Sequence, residues 1–356
     1  MPEAEGSGAS YAEAGVDIDA GGRAVELMKE WVAKTHRPEV IGGLGGFAGL
    51  FDASALRTYR RPLLATSTDG VGTKVAIAQR MGVHDTIGFD LVGMVVDDVV
   101  VCGAEPLFMT DYIACGLVVP ERIAAIVKGI AQACVAAGCA LAGGETAEHP
   151  GLLEPDEYDL AGAATGVVEA DQLLGPDRVQ AGDVVVAMAA SGLHSNGYSL
   201  VRRVVFDLAG WTLERHVPEL GRTLGEELLE ATRIYTPECL ALARSAEVDV
   251  HAFSHVTGGG LASNLARVLP ADLSARVSRA TWSPSPVFGL VDRLGTVGQD
   301  ELEHTLNMGV GMVAILTAQS ADRTVELLAE RGMPAWIAGS VIEGNGSVEL
   351  YGNYPT

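Results

Sequence analysis

The sequence has few aromatic residues and few basic ones. Phe, Trp and Tyr make up 5 % of the 356 residues, and 24 Lys and Arg stand against 46 Asp and Glu, which gives a formal net charge of −22. Non-specific nucleic-acid binding requires a basic surface, so this charge argues against that class of function. An anionic substrate would have to be held by local cations, backbone amides or a bound metal ion.

The sequence also lacks the patterns of a disulfide framework, a zinc motif or a membrane span. Its five cysteines are an odd number and include no CxxC spacing. The most apolar stretch, 123–142, contains Lys128 and Gln132 and is typical of a buried helix. Residues 1–9 have neither the basic nor the apolar segment of a secretory signal. We therefore expect a cytoplasmic protein with no membrane partner.

What the chain does contain is aliphatic and rich in glycine. Hydrophobic residues make up 48 % of the sequence, and there are 44 glycines. This mixture is typical of an α/β enzyme, and the length favours two domains. Turn-forming residues cluster at 171–182, which marks the boundary. We predict a disordered tail over 1–10, an N-terminal domain over 11–172, a C-terminal domain over 173–346 and a second tail over 347–356.

Apolar periodicity predicts the elements of each domain. In the first domain it predicts helices over 20–34, 89–102 and 120–138, and strands over 63–67, 108–114 and 159–169. In the second it predicts strands over 184–189, 274–278, 310–316 and 335–342, and helices from 199 and over 224–245, 261–268, 286–295 and 320–331. The fold class is therefore α/β (α+β), with a mostly antiparallel N-terminal sheet domain followed by an α/β sandwich.

One candidate for ligand binding follows the first strand: Asp69-Gly70-Val71-Gly72-Thr73-Lys74. Its glycines allow a ligand to approach the backbone closely, and its lysine can place a cation against a phosphate. The spacing is not that of a Walker A loop. An ordinary β-turn explains the stretch equally well.

Acidic residues form two further candidates. Asp97 and Asp98 are adjacent in an apolar segment, where unpaired burial would cost each carboxylate several kcal/mol. Either they bind Mg²⁺ or they lie on an exposed helix edge. Glu145, in the loop predicted over 143–151, either binds a metal or substrate amine or is incidental.

Two stretches of the second domain lie just before predicted helices, where free backbone amides favour phosphate. In 191–197, Ser195 and Asn196 belong to an anion site or cap the helix, and the two roles are compatible because both use the same backbone amides. The stretch 255–260 is either a second anion-binding turn or a flexible connection. No GxSxG motif occurs, which argues against a serine hydrolase.

Taken in order, these stretches resemble the phosphoribosylformylglycinamidine cyclo-ligase (AIR synthetase) family, from Ser10 to Gly339. The motifs that carry the resemblance are Ser10-Tyr11, Ala14–Ala20, Arg37–Val40 with Gly42–Gly46, Asp69–Lys74, Gly103–Phe108, Gly143–Glu148, His194–Leu200, Thr257–Gly260 and Asn307–Met312. The resemblance implies a homodimer formed through the first domain. It also implies ATP and Mg²⁺ as co-substrate and cofactor, and formylglycinamidine ribonucleotide as the substrate that is closed to aminoimidazole ribonucleotide (AIR).

The resemblance also implies roles for individual residues. The metal ligands would come from Asp69, Asp98, Asp97 and Asp111. ATP would contact Gly42, Gly43, Gly45, Gly46, Asp69, Gly70, Gly72, Thr73 and Lys74. The substrate would be held by Ser195, Asn196, Gly197, Thr257, Gly258 and Gly259, and His194, Lys29 and Glu145 would serve catalysis. Two positions depart from the family: Asp97 replaces the usual Asn, and His149 replaces a common Met.

Two alternatives remain. One is another ATP-using member of the same superfamily, similar to selenophosphate synthase or thiamine-phosphate kinase. The first cysteine is Cys102, whereas selenophosphate synthases usually carry a reactive Cys or selenocysteine near the N-terminus. The other is a non-catalytic nucleotide-binding protein. The joint presence of Asp69, Lys74, Asp98 and Glu145 argues against it.

Overall fold

The computed structural model describes residues 18–43 and 45–355. The tail predicted over 1–10 and the opening motif up to Asp17 lie outside the described residues. The N-terminal half forms helices and strands that are numbered along the chain. The helices are α1 (Ile18–Thr35), α2 (Val75–Met81), α3 (Ile87–Val100) and α4 (Pro120–Ala137). The strands are β1 (Val40–Ile41), β2 (Leu50–Phe51), β3 (Pro62–Gly70), β4 (Glu105–Cys115), β5 (Ala140–Glu148) and β6 (Tyr158–Glu169).

The main sheet of this half has four strands in the order β3-β6-β4-β5. The β3–β6 and β6–β4 pairings are antiparallel and the β4–β5 pairing is parallel, so the predicted mostly antiparallel sheet is confirmed. The prediction of a loop over 143–151 was wrong, because residues up to Glu148 belong to β5. Gly143 and Gly144 made the strand hard to predict, since glycine is disfavoured inside strands.

Among residues 18–43 and 45–355, helices cover one face of the four-stranded sheet. Helix α3 packs against β3 and β6, and α4 packs against α3 and α1. On the opposite face, Leu64 is 63 % exposed to solvent and Tyr112 is 42 % exposed. Between them lie small or polar residues such as Ala161 and Ala163, which are also exposed.

The C-terminal half is built around a second sheet. The strands of this half are β7 (Val184–Ala189), β8 (His216–Val217), β9 (Arg222–Thr223), β10 (Val250–His255), β11 (Leu273–Ser278), β12 (Val310–Leu316), β13 (Ala335–Glu343) and β14 (Val348–Tyr351). Its helices are α5 (Tyr198–Arg202), α6 (Leu224–Leu228), α7 (Thr236–Ala243), α8 (Gly260–Ala266), α9 (Pro286–Gly295), α10 (Gln299–Thr305) and α11 (Ala321–Glu330).

The second sheet has six strands in the order β10-β12-β7-β13-β11-β14. Separate apolar clusters cover its two faces, one with α8 and one with α7 and α11, as the predicted sandwich requires. The prediction of a tail over 347–356 was wrong, because β14 pairs in parallel with β11 at the sheet edge. A four-residue strand is too short to show a clear alternation of apolar residues. The division at 172/173 stays a prediction.

The helix predicted over 224–245 is interrupted between α6 and α7. In the interruption, Thr232 donates its backbone N–H and its hydroxyl to Asp90. Tyr235 donates its N–H to Asp97 at 3.1 Å. Both aspartates lie on α3 and are fully buried. Buried carboxylates require donors, and this segment leaves the helical path to supply them.

The two halves share a continuous apolar core. The largest cluster joins α3 and α4 to Leu193, Tyr198 and Val201 of the second half. In the part of the chain that the structure describes, no helix has both the length and the apolar character that a membrane span needs.

Candidate functional site

A cavity of about 460 Å³ lies between the two halves. One wall is the stretch 69–73, where β3 ends, and the other is 195–199, where β7 gives way to α5. Met94 of α3 and residues 159–161 of β6 complete the lining. The structure thus brings Asp69, Gly70, Gly72 and Thr73 together with Ser195, Asn196 and Gly197.

Hydrogen bonds join these two walls. The buried Ser195 hydroxyl donates to the Val71 carbonyl at 2.7 Å. The hydroxyls of Thr73 and Ser199 lie 3.2 Å apart. Ser195 therefore uses its hydroxyl within the protein, and the groups it offers a ligand are those of its backbone.

Gly197 fits its turn because it has no side chain. Its φ of 77° is in the left-handed region. A Cβ at this position would overlap the side chain of Leu306. The turn that ends at Gly197 is therefore fixed both by conformation and by packing.

His194 precedes this turn and is 2 % exposed. Its backbone is left-handed, with φ 61°, which is uncommon for a residue other than glycine. The Ser191 N–H donates to Nε2 at 3.2 Å, so the proton of the neutral ring is on Nδ1, which is buried without a partner. Burial, then the charges of His255 and Lys74, lowers the pKa of His194 well below its usual range. The predicted catalytic His194 is therefore a neutral donor in this structure.

The stretch 257–259 lies beside the same turn, because a Cβ on Gly258 would come within 3.4 Å of the Asn196 side chain. The Asn264 amide holds the loop by donating to the carbonyls of Thr257 and Gly258 at 3.3 and 3.2 Å. Gly259 has a φ of 94°, a backbone conformation that favours glycine over residues with a side chain. The predicted substrate residues of 195–197 and 257–259 thus form one neighbourhood.

The prediction that Lys74 contacts ATP phosphates is corrected. Its ammonium is 0 % exposed and donates to Asp90 Oδ1 at 2.7 Å and to the carbonyls of His194 and Glu230 at 2.9 and 2.6 Å. All three of its donors are therefore used inside the protein. Asp90 was not among the predicted site residues, although it lies seven residues before Asp97 on the same helical face.

The metal role predicted for Asp97 is corrected as well. Asp97 is 0 % exposed, and it accepts the Thr236 hydroxyl at 2.7 Å besides the Tyr235 N–H. Burial raises its pKa to about 6. Asp98 is different: its side chain is 38 % exposed, and His255 Nδ1 donates to it at 2.9 Å.

A second cavity, of about 440 Å³, lies in the N-terminal half. Its walls are mainly apolar and come from α1, α4 and Leu141, and Gly45, Gly46 and Phe47 border it. Asp111 and Glu145 supply its acidic groups. Gly42 and Gly43 are exposed just before this loop. Lys29 is exposed on α1 and pairs with Glu26.

The strand register places the acidic residues of the two cavities in one row. Asp69 of β3 and Asp111 of β4 both pair with Gly162 of β6, and Asp111 pairs with Gly144 of β5. Paired residues point to the same face, and strands lie about 4.8 Å apart, so Asp69 and Asp111 are about 10 Å apart. Beside Gly162 the space is filled by the side chain of Met109, which a Cβ there would meet at 3.0 Å.

The carboxylates suit a hard cation, which takes oxygen ligands and keeps sites for phosphate. Burial raises the pKa of Asp111 to about 7, so its negative charge is costly without a nearby cation. A Cβ on Gly144 would overlap Asp111 Oδ1, and the glycine therefore keeps that oxygen's place free. Within residues 18–43 and 45–355, no three acidic, His or Cys side chains converge as a metal site. A cation held here would therefore also need oxygen atoms from a bound molecule, such as those of a phosphate group.

Comparison with known proteins identifies both halves. The model of the AIR synthase related protein N-terminal domain matches residues 51–168, and that of the C-terminal domain matches 180–351. A phosphoribosylformylglycinamidine cyclo-ligase from Geobacillus kaustophilus is 52 % identical over 339 residues, which cover 95 % of this chain and 96 % of the relative.

Solved structures show the same fold at lower identity. A thiamine-monophosphate kinase from Stenotrophomonas maltophilia superposes with a TM-score of 0.67 at 20 % identity, over 92 % of this chain and 96 % of that one. Hydrogenase maturation protein HypE in complex with ATP gives a TM-score of 0.60 at 20 % identity, over 97 % and 92 %. The full-length identity with the first relative decides among these, and the chain is an enzyme that belongs to the phosphoribosylformylglycinamidine cyclo-ligase family.

Proposed function

We propose that this enzyme closes the imidazole ring of formylglycinamidine ribonucleotide in de novo purine biosynthesis, with ATP as co-substrate. The products are AIR, ADP and phosphate. The observation that carries the proposal is the meeting of the Asp69–Thr73 loop and the 195–199 turn in one cavity. The first is the predicted nucleotide-binding stretch and the second the predicted ribonucleotide-binding stretch.

The shape of the site supports two ligand positions. The cavity beside Gly45 and Gly46 has the apolar walls that a nucleobase requires. The row from Asp111 to Asp69 leads from that cavity to the one between the domains. We place the ATP phosphates along this row and the substrate phosphate at the backbone amides of 195–199.

Asp69 and Asp111, which line the two cavities, would hold Mg²⁺. Asp98 keeps a partly exposed carboxylate and stays a predicted ligand. When bound, the metal would offset the negative charge of the phosphates. Glu145 lines the ATP cavity and Lys29 lies on the helix beside it, and their catalytic roles stay predictions.

The chemistry requires an oxygen to be made into a leaving group. The formyl amide oxygen attacks the terminal phosphorus of ATP, and ADP leaves. The amidine nitrogen then attacks the formyl carbon, the carbon–oxygen bond breaks, and phosphate departs as the nitrogen loses a proton. A neutral His194 adds no positive charge to the site, and its Nδ1–H is buried without a partner, so its catalytic role stays a prediction.

Product formation tests the proposal directly. With formylglycinamidine ribonucleotide, ATP and Mg²⁺, we expect AIR, detected through its diazotisable amine, and an equal amount of ADP. Omission of Mg²⁺ or addition of EDTA should abolish both products. Thiamine monophosphate and selenide serve as controls for the alternative activities. ATP turnover with either of them, and none with the ribonucleotide, would contradict the proposal.

We also propose that the enzyme is a homodimer joined through the uncovered face of the N-terminal sheet. Its location in the cytoplasm stays a prediction. This face carries the large side chains of Leu64 and Tyr112, which are exposed in the part of the chain that the structure describes. A two-fold partner would cover it with an identical face, which also protects the open strand edges.

Charge introduced on this face should separate the subunits. We expect a mass near twice 37.0 kDa for the wild type at sub-micromolar concentration by mass photometry. Tyr112→Glu should shift the protein towards the monomer and reduce activity in parallel. Leu208→Glu is the matched control, because Leu208 is a 58 % exposed apolar residue of the other domain. A fully active wild-type monomer would overturn the proposal.

A further inference from the structure

The buried Lys74–Asp90 ion pair is used by none of the steps above. Both side chains are 0 % exposed, and Nζ lies 2.7 Å from Asp90 Oδ1. The lysine also donates to two carbonyls of the second domain, at His194 and Glu230. One cation of the N-terminal half is therefore bonded to two separate segments of the C-terminal half.

Asp90 extends the same contact. Its Oδ1 accepts both the N–H and the hydroxyl of Thr232, at 3.1 and 2.6 Å. The pair thus fixes the chain where α6 has ended and α7 has not begun. Burial lowers the pKa of Lys74 and raises that of Asp90, and their mutual attraction opposes both changes.

A buried ion pair is weak evidence for stability, because desolvation offsets much of the attraction. This pair instead fixes the orientation of a peptide group that it contacts. The carbonyl that Lys74 holds belongs to His194, whose left-handed backbone is unusual for a residue with a side chain. The turn 195–199 follows immediately and lines the cavity between the domains.

Lys74 is also continuous with the opposite wall of that cavity. The loop 69–73 leads directly into it, and Nζ lies 5.6 Å from the ring of Tyr198 at the start of α5. The ion pair therefore lies behind the point where the two walls meet.

We infer that Lys74 and Asp90 are positioning residues, which hold the His194 peptide so that the amides of 195–199 face the ribonucleotide. The inference rests on the proposed function of that cavity. It assigns Lys74 to alignment of the ribonucleotide site and not to contact with ATP.

The test uses the double variant Lys74→Met/Asp90→Asn in the full-length enzyme. Met fills the space of the lysine stem, and Asn keeps an oxygen for Thr232, so neither change leaves an unpaired buried charge. We expect a cooperative thermal transition and a KM for ATP within about threefold of the wild type. The KM for the ribonucleotide should rise about tenfold or more, because two hydrogen bonds to a charged group are lost.

Hydrogen exchange gives a readout that is independent of activity. In the double variant, the amides of 192–199 should exchange faster than in the wild type, while those of β12 should not change. Lys34→Met is the matched control, since Lys34 is an exposed lysine on α1.

Each other outcome decides against the inference. A higher KM for ATP with an unchanged ribonucleotide KM would show that Lys74 contributes to ATP binding and not to alignment of the ribonucleotide site. A lower melting temperature with both KM values unchanged would make the pair structural only. If the wild type makes no AIR, the proposed function fails, and unchanged exchange at 192–199 would then overturn the positioning role separately.

Discussion

Asp98→Asn is expected to lower turnover at least about a hundredfold while the fold persists. The carboxylate is partly exposed, and one oxygen accepts from His255 Nδ1 at 2.9 Å. Asn keeps an oxygen for that hydrogen bond and removes only the negative charge. Steady-state AIR formation at saturating substrates measures the loss. A higher Mg²⁺ concentration should partly restore the rate if the charge serves a metal ion.

Asp97→Asn is the matched control on the next residue of the same helix. Asp97 is fully buried and bonded to Tyr235 and Thr236, and Asn can accept from both. We expect at most about a threefold change in turnover, since the lost charge faces no ligand. Equal losses in the two variants would show that the effect comes from α3 as a whole and not from a metal ligand.

Gly144→Ala is expected to reduce turnover about a hundredfold, because a displacement of about 1 Å in a catalytic group has effects of that size. The new Cβ would overlap Asp111 Oδ1 and force that carboxylate out of the row it forms with Asp69. The dissociation constant of Mg-ATP, measured by titration calorimetry, should rise as well. Secondary structure should not change, since Gly144 has no positive φ.

Gly143→Ala is the control for the added methyl group. The neighbouring glycine lies in the same strand, and its Cβ would meet nothing closer than 3.8 Å. We expect a much smaller loss of turnover than for Gly144→Ala. If both variants retain wild-type affinity for Mg-ATP, Asp111 takes no part in holding the metal.

The sequence was sufficient for the parts of the fold whose apolar pattern is regular. The predicted helices over 89–102 and 120–138 correspond to α3 and α4 within two residues at each end. Strands such as β7 and β12 are continuous apolar runs and were placed correctly. The candidate loops at 69–74 and 191–197 also meet in space, because both follow strands whose ends face the same cavity.

What the sequence did not show depends on contacts between distant residues. The stretch 143–148 has the composition of a loop, and it is a strand only because β4 pairs with it. The break between α6 and α7 arises from Asp90 and Asp97, more than 130 positions earlier. Lys74 was assigned to ATP because a lysine after a glycine loop is typical of phosphate binding. The burial of Lys74, which the sequence does not show, arises because the second domain packs against it.

The transfer of oxygen tests the central claim most directly. Formylglycinamidine ribonucleotide labelled with ¹⁸O in the formyl group is incubated with the enzyme and Mg-ATP, and the phosphate is analysed by mass spectrometry. The proposed reaction predicts one labelled phosphate for each AIR formed, because the formyl oxygen leaves with the phosphoryl group. Unlabelled phosphate, or ADP released without AIR, would contradict it.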